Sequence, residues 1–208
     1  MNGMEKKPLN LILLGDPASG KATQAARLIK KYHLYDFDMG AELRKPVARK
    51  RFEYDRTAGK GHLTPTVYVR AILRRVIAAM PDQRGILFNG HPKMIGEAQL
   101  VARELARHKR IDPFFIYLQL PASEVARRAK KRKVYFHGKL VERSDDSAQA
   151  LKNRQTYYRK QVSQVITFFG TRYPFKKISG MGSRAEVWKR IDSAVRAHVA
   201  HVKRASSK

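Results

Sequence analysis

The chain has 208 residues, no cysteine, 44 Lys+Arg against 17 Asp+Glu, and a formal net charge of +27 with pI ≈ 10.7. This length fits one domain with its own core, and the missing cysteines exclude disulfides and thiolate metal centres. No apolar run reaches the roughly 18 residues of a membrane span, and the first strand follows too soon for a signal peptide, so a cytoplasmic protein is expected.

Leu9–Leu14 is an apolar run that reads as a buried strand. Gly15-Asp16-Pro17-Ala18-Ser19-Gly20-Lys21-Ala22-Thr23 follows, and then Ala22, Ala25, Ala26, Ile29 and Tyr32 recur at helical spacing. A strand, a glycine-bounded loop with a lysine and a helix are the context of a phosphate-binding loop. Backbone N–H groups of such a loop surround an anion, and the helix start adds about half a positive charge. Lys21 supplies a full charge for the outer phosphates, and Thr23 a hydroxyl for magnesium. That hydroxyl falls one place late, because Ala22 directly follows the lysine.

Strand and helix patterns then alternate, which predicts a parallel sheet with helices on both faces. Leu34–Asp38 is the second strand and a basic helical stretch runs from about Ala41 to Phe52. Leu63-Thr64-Pro65 opens a helix whose shared face is Val67, Ala71, Ile72, Val76 and Met80. Gly85–Phe88 is the third strand, ending at Asn89-Gly90-His91-Pro92-Lys93, and a helix follows to about His108. Phe114–Leu120 is the fourth strand. Ser123 is the expected N-cap of a helix running into the basic segment 127–133. A long helix opens near Asp146 with Leu151, Tyr158, Val162, Val165 and Phe169 inward. Phe175–Gly180 is a fifth strand, and a last helix buries Trp188, Ile191, Val195, Val199 and Val202.

The ordered set Gly15 to Gln24, Gly40 with Arg44, Gly61-x-Leu-x-Pro65, Asn89-Gly90-His91-Pro92-Lys93, Arg128 with Arg132, and Arg143-x-Asp145-Asp146 with Arg154 resembles the adenylate kinase family of nucleoside monophosphate kinases, in its short-lid form. The resemblance implies a three-layer α/β/α P-loop fold on a five-stranded parallel sheet, with a helical monophosphate-binding insert at about 38–67 and a short lid at about 133–146. It implies in-line transfer of the γ-phosphoryl of ATP, with Mg²⁺, to a monophosphate, and a monomer. Such transfer needs positioning and charge neutralisation more than base chemistry.

By the same resemblance Gly15, Ala18, Ser19, Gly20, Lys21, Ala22 and Thr23 cradle the donor phosphates, and Arg128 stacks on the donor base. Arg132, Arg143 and Arg154 surround the transferring group together with Lys21. Arg44 and Lys93 hold the acceptor phosphate, and Met39, Leu63, Thr64, Gly90 and Glu97 line the acceptor pocket. Several positions depart from the family pattern. Asn89 stands where an aspartate orients magnesium-bound water, and Ala41 where a second aspartate is usual. With that charge gone, weakened turnover is expected, and Asn89→Asp is expected to raise it. Lys93 replaces an arginine and loses its bidentate fork. Glu97 replaces the glutamine that reads adenine. An ionised carboxylate only accepts, which suits guanine as well. AMP is favoured by resemblance, with GMP or another monophosphate open. The alternative from another class is a catalytically weakened kinase-like domain that binds RNA or a ribonucleoprotein through its basic surface.

Overall fold

The computed structural model describes residues 8–44, 66–110, 112–129, 133–136, 139–142 and 158–206. Seven strands and seven α-helices are described: β1 (Leu11–Gly15), α1 (Lys21–Tyr32), β2 (Tyr35–Phe37), α2 (Met39–Arg44), α3 (Thr66–Ala78), β3 (Ile86–Asn89), α4 (Ile95–Arg107), β4 (Phe114–Gln119), α5 (Ala122–Ala129), β5 (Lys133–Phe136), β6 (Lys139–Glu142), α6 (Ser163–Gly170) entered through a π-helical turn at Tyr158–Val162, β7 (Phe175–Ser179) and α7 (Arg184–Ser206). Five strands form the sheet in the order β2-β3-β1-β4-β7, all parallel. β5 and β6 pair antiparallel, which puts a small hairpin within the segment expected to be the lid. Among the described residues no helix is long and apolar enough to cross a membrane.

Alternation along the strands makes two cores. Ile12, Leu14, Phe37, Ile86, Phe88 and Phe115 point to one face, where α3, α4 and α6 cover them. Leu11, Leu13, Leu87, Ile116 and Leu118 point to the other, against α1 and α7. Both faces are buried, so the strands read as nearly continuous apolar runs.

Three expectations shift. In α3 the buried stripe is Val69, Ile72, Leu73, Val76, Ile77 and Met80, while Val67 is 67% exposed and Ala71 is exposed. The i, i+3, i+4 spacing from Val69 makes a wider apolar face than the one drawn through Val67. Ser123 lies inside α5, which begins at Ala122, and Glu124 and Val125 N–H groups donate to Pro121 O instead. Lys133, expected at the end of that helix, opens β5. The cores of α6 and α7 are as expected at Val162, Val165, Phe169, Ile191 and Val195, while Trp188, Val199 and Val202, expected inside, are only half-buried. Leu151 lies outside the described residues, as does the Tyr158 side chain.

Candidate active site

The loop after β1 is held from three sides. Ala18 has φ 59° and Gly20 φ 87°, so the chain turns through left-handed conformations twice before α1 begins. A Cβ on Gly15 would lie 2.6 Å from Leu118 O and 2.9 Å from Ser19 Oγ, so only glycine allows this approach to β4. Lys21 Nζ donates to Gly15 O at 2.5 Å and Asp16 O at 2.9 Å, which places the ammonium within the curl of the loop. Among the described residues no side chain caps α1, and its first turn carries no acid, so its leading N–H groups and dipole face the loop. Ser19 is buried, and Ala22 and Thr23 stand in the first helical turn.

Asp16 has no role in the sequence pattern alone. Its carboxylate accepts from Tyr117 OH at 2.7 Å and from Leu120 N–H at 2.6 Å, and its own N–H donates to Leu118 O. It anchors the loop to the end of β4. The available signal is an acid inside a loop built to hold anions, a position that calls for a structural partner.

Arg128, expected at the donor base, has a fixed partner on its own helix. Arg128 Nε donates to Glu124 Oε1 at 2.5 Å, one turn earlier on α5, and Arg127 bonds both oxygens of the same carboxylate. These hydrogen bonds hold the Glu124 carboxyl down at about 2, so it stays ionised. This contact uses the Nε edge of the Arg128 guanidinium, whose side chain is 25% exposed. Glu124 is a further residue that sequence reasoning missed; its i, i+4 spacing to Arg128 was the available sign.

Among the residues expected on the acceptor side, β3 ends at Asn89 beside Leu13 of β1, and Gly90, at φ 69°, donates its N–H to Leu13 O. Lys93 is half-buried at the approach to α4. Glu97 is 3% exposed, and its Oε2 accepts from Lys93 N–H at 2.9 Å and Met94 N–H at 3.2 Å. It therefore caps α4, a structural task that the base-reading assignment left out. Burial raises its carboxyl, against the lowering effect of the two backbone bonds. Behind it, His91 is buried, with Nδ1 3.6 Å from Glu97 Oε2 and its ring edge-on to Phe37. Burial, then the Lys93 charge, lowers His91 to about 3, so it is neutral near pH 7.

Met39 is buried in the core with Phe37 and Leu43. A thioether without a polar atom to satisfy is driven inward there. Asp38 caps α2 by accepting from Ala41 N–H, and Glu42 lies 3.5 Å from Arg75, so each of these acids has a partner elsewhere. Asn89 Nδ2 donates to Asp36 Oδ1 at 3.2 Å. Leu63, Thr64, Arg132, Arg143 and Arg154 lie outside the described residues, as does the side chain of Arg44.

The donor set for a magnesium ion is spare. Among the described residues no group of three or more His, Asp or Glu could hold a metal by itself. Thr23 and Asn89 offer neutral oxygens, and these fit an ion whose other ligands are phosphates and water.

The family model described as "Adenylate kinase" matches residues 13–173. A relative named "Adenylate kinase" from Bacteroides thetaiotaomicron is 29% identical over 191 residues, spanning 90% of this chain and 98% of its own. One of the same name from Porphyromonas gingivalis is 28% identical over 186 residues, or 88% and 93% of the two chains. A third, from Azobacteroides pseudotrichonymphae, is 30% identical over 187 residues, or 88% and 95%. The chain belongs to the adenylate kinase family and is a nucleoside monophosphate kinase.

Proposed function

We propose that this protein transfers the γ-phosphoryl of ATP to AMP, giving two molecules of ADP. The observation that carries the reading is the phosphate loop, where the Lys21 ammonium sits within the backbone curl and donates to Gly15 O and Asp16 O. Lys21 and the leading amides of α1 neutralise the donor phosphates, while Arg128, steadied by Glu124, stacks on the donor base. Lys93 and Arg44 hold the acceptor phosphate. Arg132, Arg143 and Arg154 converge on the transferring group, with Arg143 arriving from a lid at about 133–146 that closes over an insert at about 38–67. Closure excludes water, so the phosphoryl goes to the monophosphate. Mg²⁺ would be held from Thr23 and Asn89 and, when bound, neutralises phosphate charge. A cytoplasmic monomer completes the proposal.

The relatives named adenylate kinase support AMP as the acceptor. Glu97 itself is committed to the start of α4, where its Oε2 accepts from the Lys93 and Met94 N–H groups. The test is ADP production from ATP and Mg²⁺ with AMP, GMP, CMP and UMP offered separately, alongside Lys21→Ala. Turnover highest with AMP and lost in Lys21→Ala is expected. Preference for GMP would overturn the acceptor, and no turnover with any monophosphate would overturn the kinase reading.

A further inference from the structure

The family's aspartate at the end of β3 is Asn89 here, yet a carboxylate touches that position from the neighbouring strand. β2 is the edge strand, and Asp36 is in register with Leu87, two positions before Asn89. Strand alternation fixes the face. Phe37, Ile86 and Phe88 belong to one core and Leu87 to the other, so Asp36 and Asn89 both lie on the α1 side of the sheet. That is the side whose helix carries Lys21 and Thr23 in its first turn.

We infer that Asp36 is a positioning residue for Asn89, and that the pair supplies from β2 the charge that a single aspartate would supply from β3. An ionised carboxylate can only accept, so the amide must present Nδ2 to Asp36. The hydrogen bond at 3.2 Å has this sense. The Asn89 Oδ1 is then turned to the opposite side of β3. In the order β2-β3-β1 that side belongs to β1 and the phosphate loop. Donation to a carboxylate also polarises the amide and makes Oδ1 a stronger acceptor for metal-bound water. The other acids nearby are engaged elsewhere, Asp38 on the Ala41 N–H and Glu42 on Arg75. The inference rests on the kinase reading for what Oδ1 meets; the Asp36–Asn89 contact does not.

The experiment measures ATP affinity by calorimetry, with Mg²⁺ and with EDTA, for the full chain and for Asp36→Ala and Asp36→Asn. Asp36 is exposed, so both variants are expected to fold. Asp36→Ala should lose about tenfold of the Mg²⁺-dependent affinity, the low end of effects seen for residues that orient metal ligands, with ATP affinity in EDTA unchanged. Asp36→Asn keeps an acceptor for the Asn89 amide and should recover part of the loss. Steady-state kinetics should show the same order in kcat, with KM for the monophosphate unmoved. An equal loss in Mg²⁺ and EDTA, or no loss in Asp36→Ala, overturns the inference. If the wild type turns over no monophosphate while its Mg²⁺-dependent affinity still responds to Asp36, the kinase reading falls and the pair stands. Turnover with an affinity indifferent to Asp36 keeps the kinase reading and removes the pair.

Discussion

At Asn89 the neighbour decides what a substitution does. Asn89→Asp alone would put a second carboxylate where Asp36 Oδ1 now receives an amide N–H at 3.2 Å. Two unit charges 4 Å apart repel by about 1 kcal/mol in water and about 4 at an effective dielectric of 20; Asp36 is exposed, so the lower figure governs. The simple expectation that Asn89→Asp raises turnover is therefore revised. The single variant should gain nothing, and the exchange Asp36→Asn with Asn89→Asp should equal or exceed the wild type in kcat. A gain in the single variant would show that Asp36 leaves the site undisturbed. His91 gives a second residue-level prediction. Its folded pKa, about 3, lies below the ordinary 6.5, so above 6.5 its contribution to stability is fully present. As pH falls from 6.5 towards 3, the unfolded chain takes a proton that the native chain refuses, and stability drops by up to about 1.4 kcal/mol per pH unit. Glu97, raised by burial, acts in the opposite sense from pH 4.5 upward, so the useful quantity is the difference from His91→Phe. Urea unfolding of the two proteins should show the acid slope in the wild type and its loss in the variant.

Elements carry the consequences of backbone contacts that no single-residue pattern announces. The five strands of the parallel sheet, α1, α4 and α7 were legible because apolar runs and helical spacing record burial directly, whereas the β5–β6 hairpin was not read as strand. The phosphate loop was legible because its close approach to β4 at Gly15 and its left-handed turn at Gly20 both fall on glycines. What escaped was mutual arrangement. Asp16 bridging to Tyr117 and Leu120, more than a hundred residues away, and Asp36 meeting Asn89 across strands depend on register, which the sequence does not print. The turn of α3 by which Val67 faces solvent was hidden because Val67 and Val69 are equally apolar. Glu97 was read through its family position, while its own spacing to Met94, three residues earlier, was the mark of a helix cap. The α5 contact yields a prediction at this scale. Glu124→Gln removes the charge that holds Arg128 and should raise KM for ATP about three- to tenfold with little change in kcat, the value of a partly exposed charge-assisted hydrogen bond. An Arg128→Ala variant, measured in the same assay, should be no more sensitive to the added Glu124 change; independent losses would remove the link between them.

Across the whole molecule the basic excess of +27 is left without internal balance. Carboxylates of the described core are already engaged: Asp192 with Lys31 at 2.6 Å and Arg196 at 3.2 Å, Glu124 with Arg127 and Arg128, and Glu104 with Arg74. Asp192 also accepts from Tyr32 OH, tying the C-terminal end of α1 to α7. Burial acts to raise its carboxyl, but these partners prevail and hold it below the usual range. The remaining cations form a field that draws polyanions whatever the protein's chemistry. Salt separates a field from a dedicated RNA-binding surface. Counterion release makes log K fall with log salt by about 0.7 per phosphate contacted on a single strand. If the basic surface only attracts, a single-stranded RNA or heparin should inhibit turnover at about 50 mM salt, and several phosphate contacts would cost it orders of magnitude in affinity by about 200 mM. Turnover from ATP and AMP should then be fully recovered in that higher salt, because Lys21 and its neighbours grip phosphate within the loop, where screening is weak. RNA held at about 200 mM salt by a chain that makes no ADP would instead place the basic surface, and not the phosphate loop, at the centre of what the protein does.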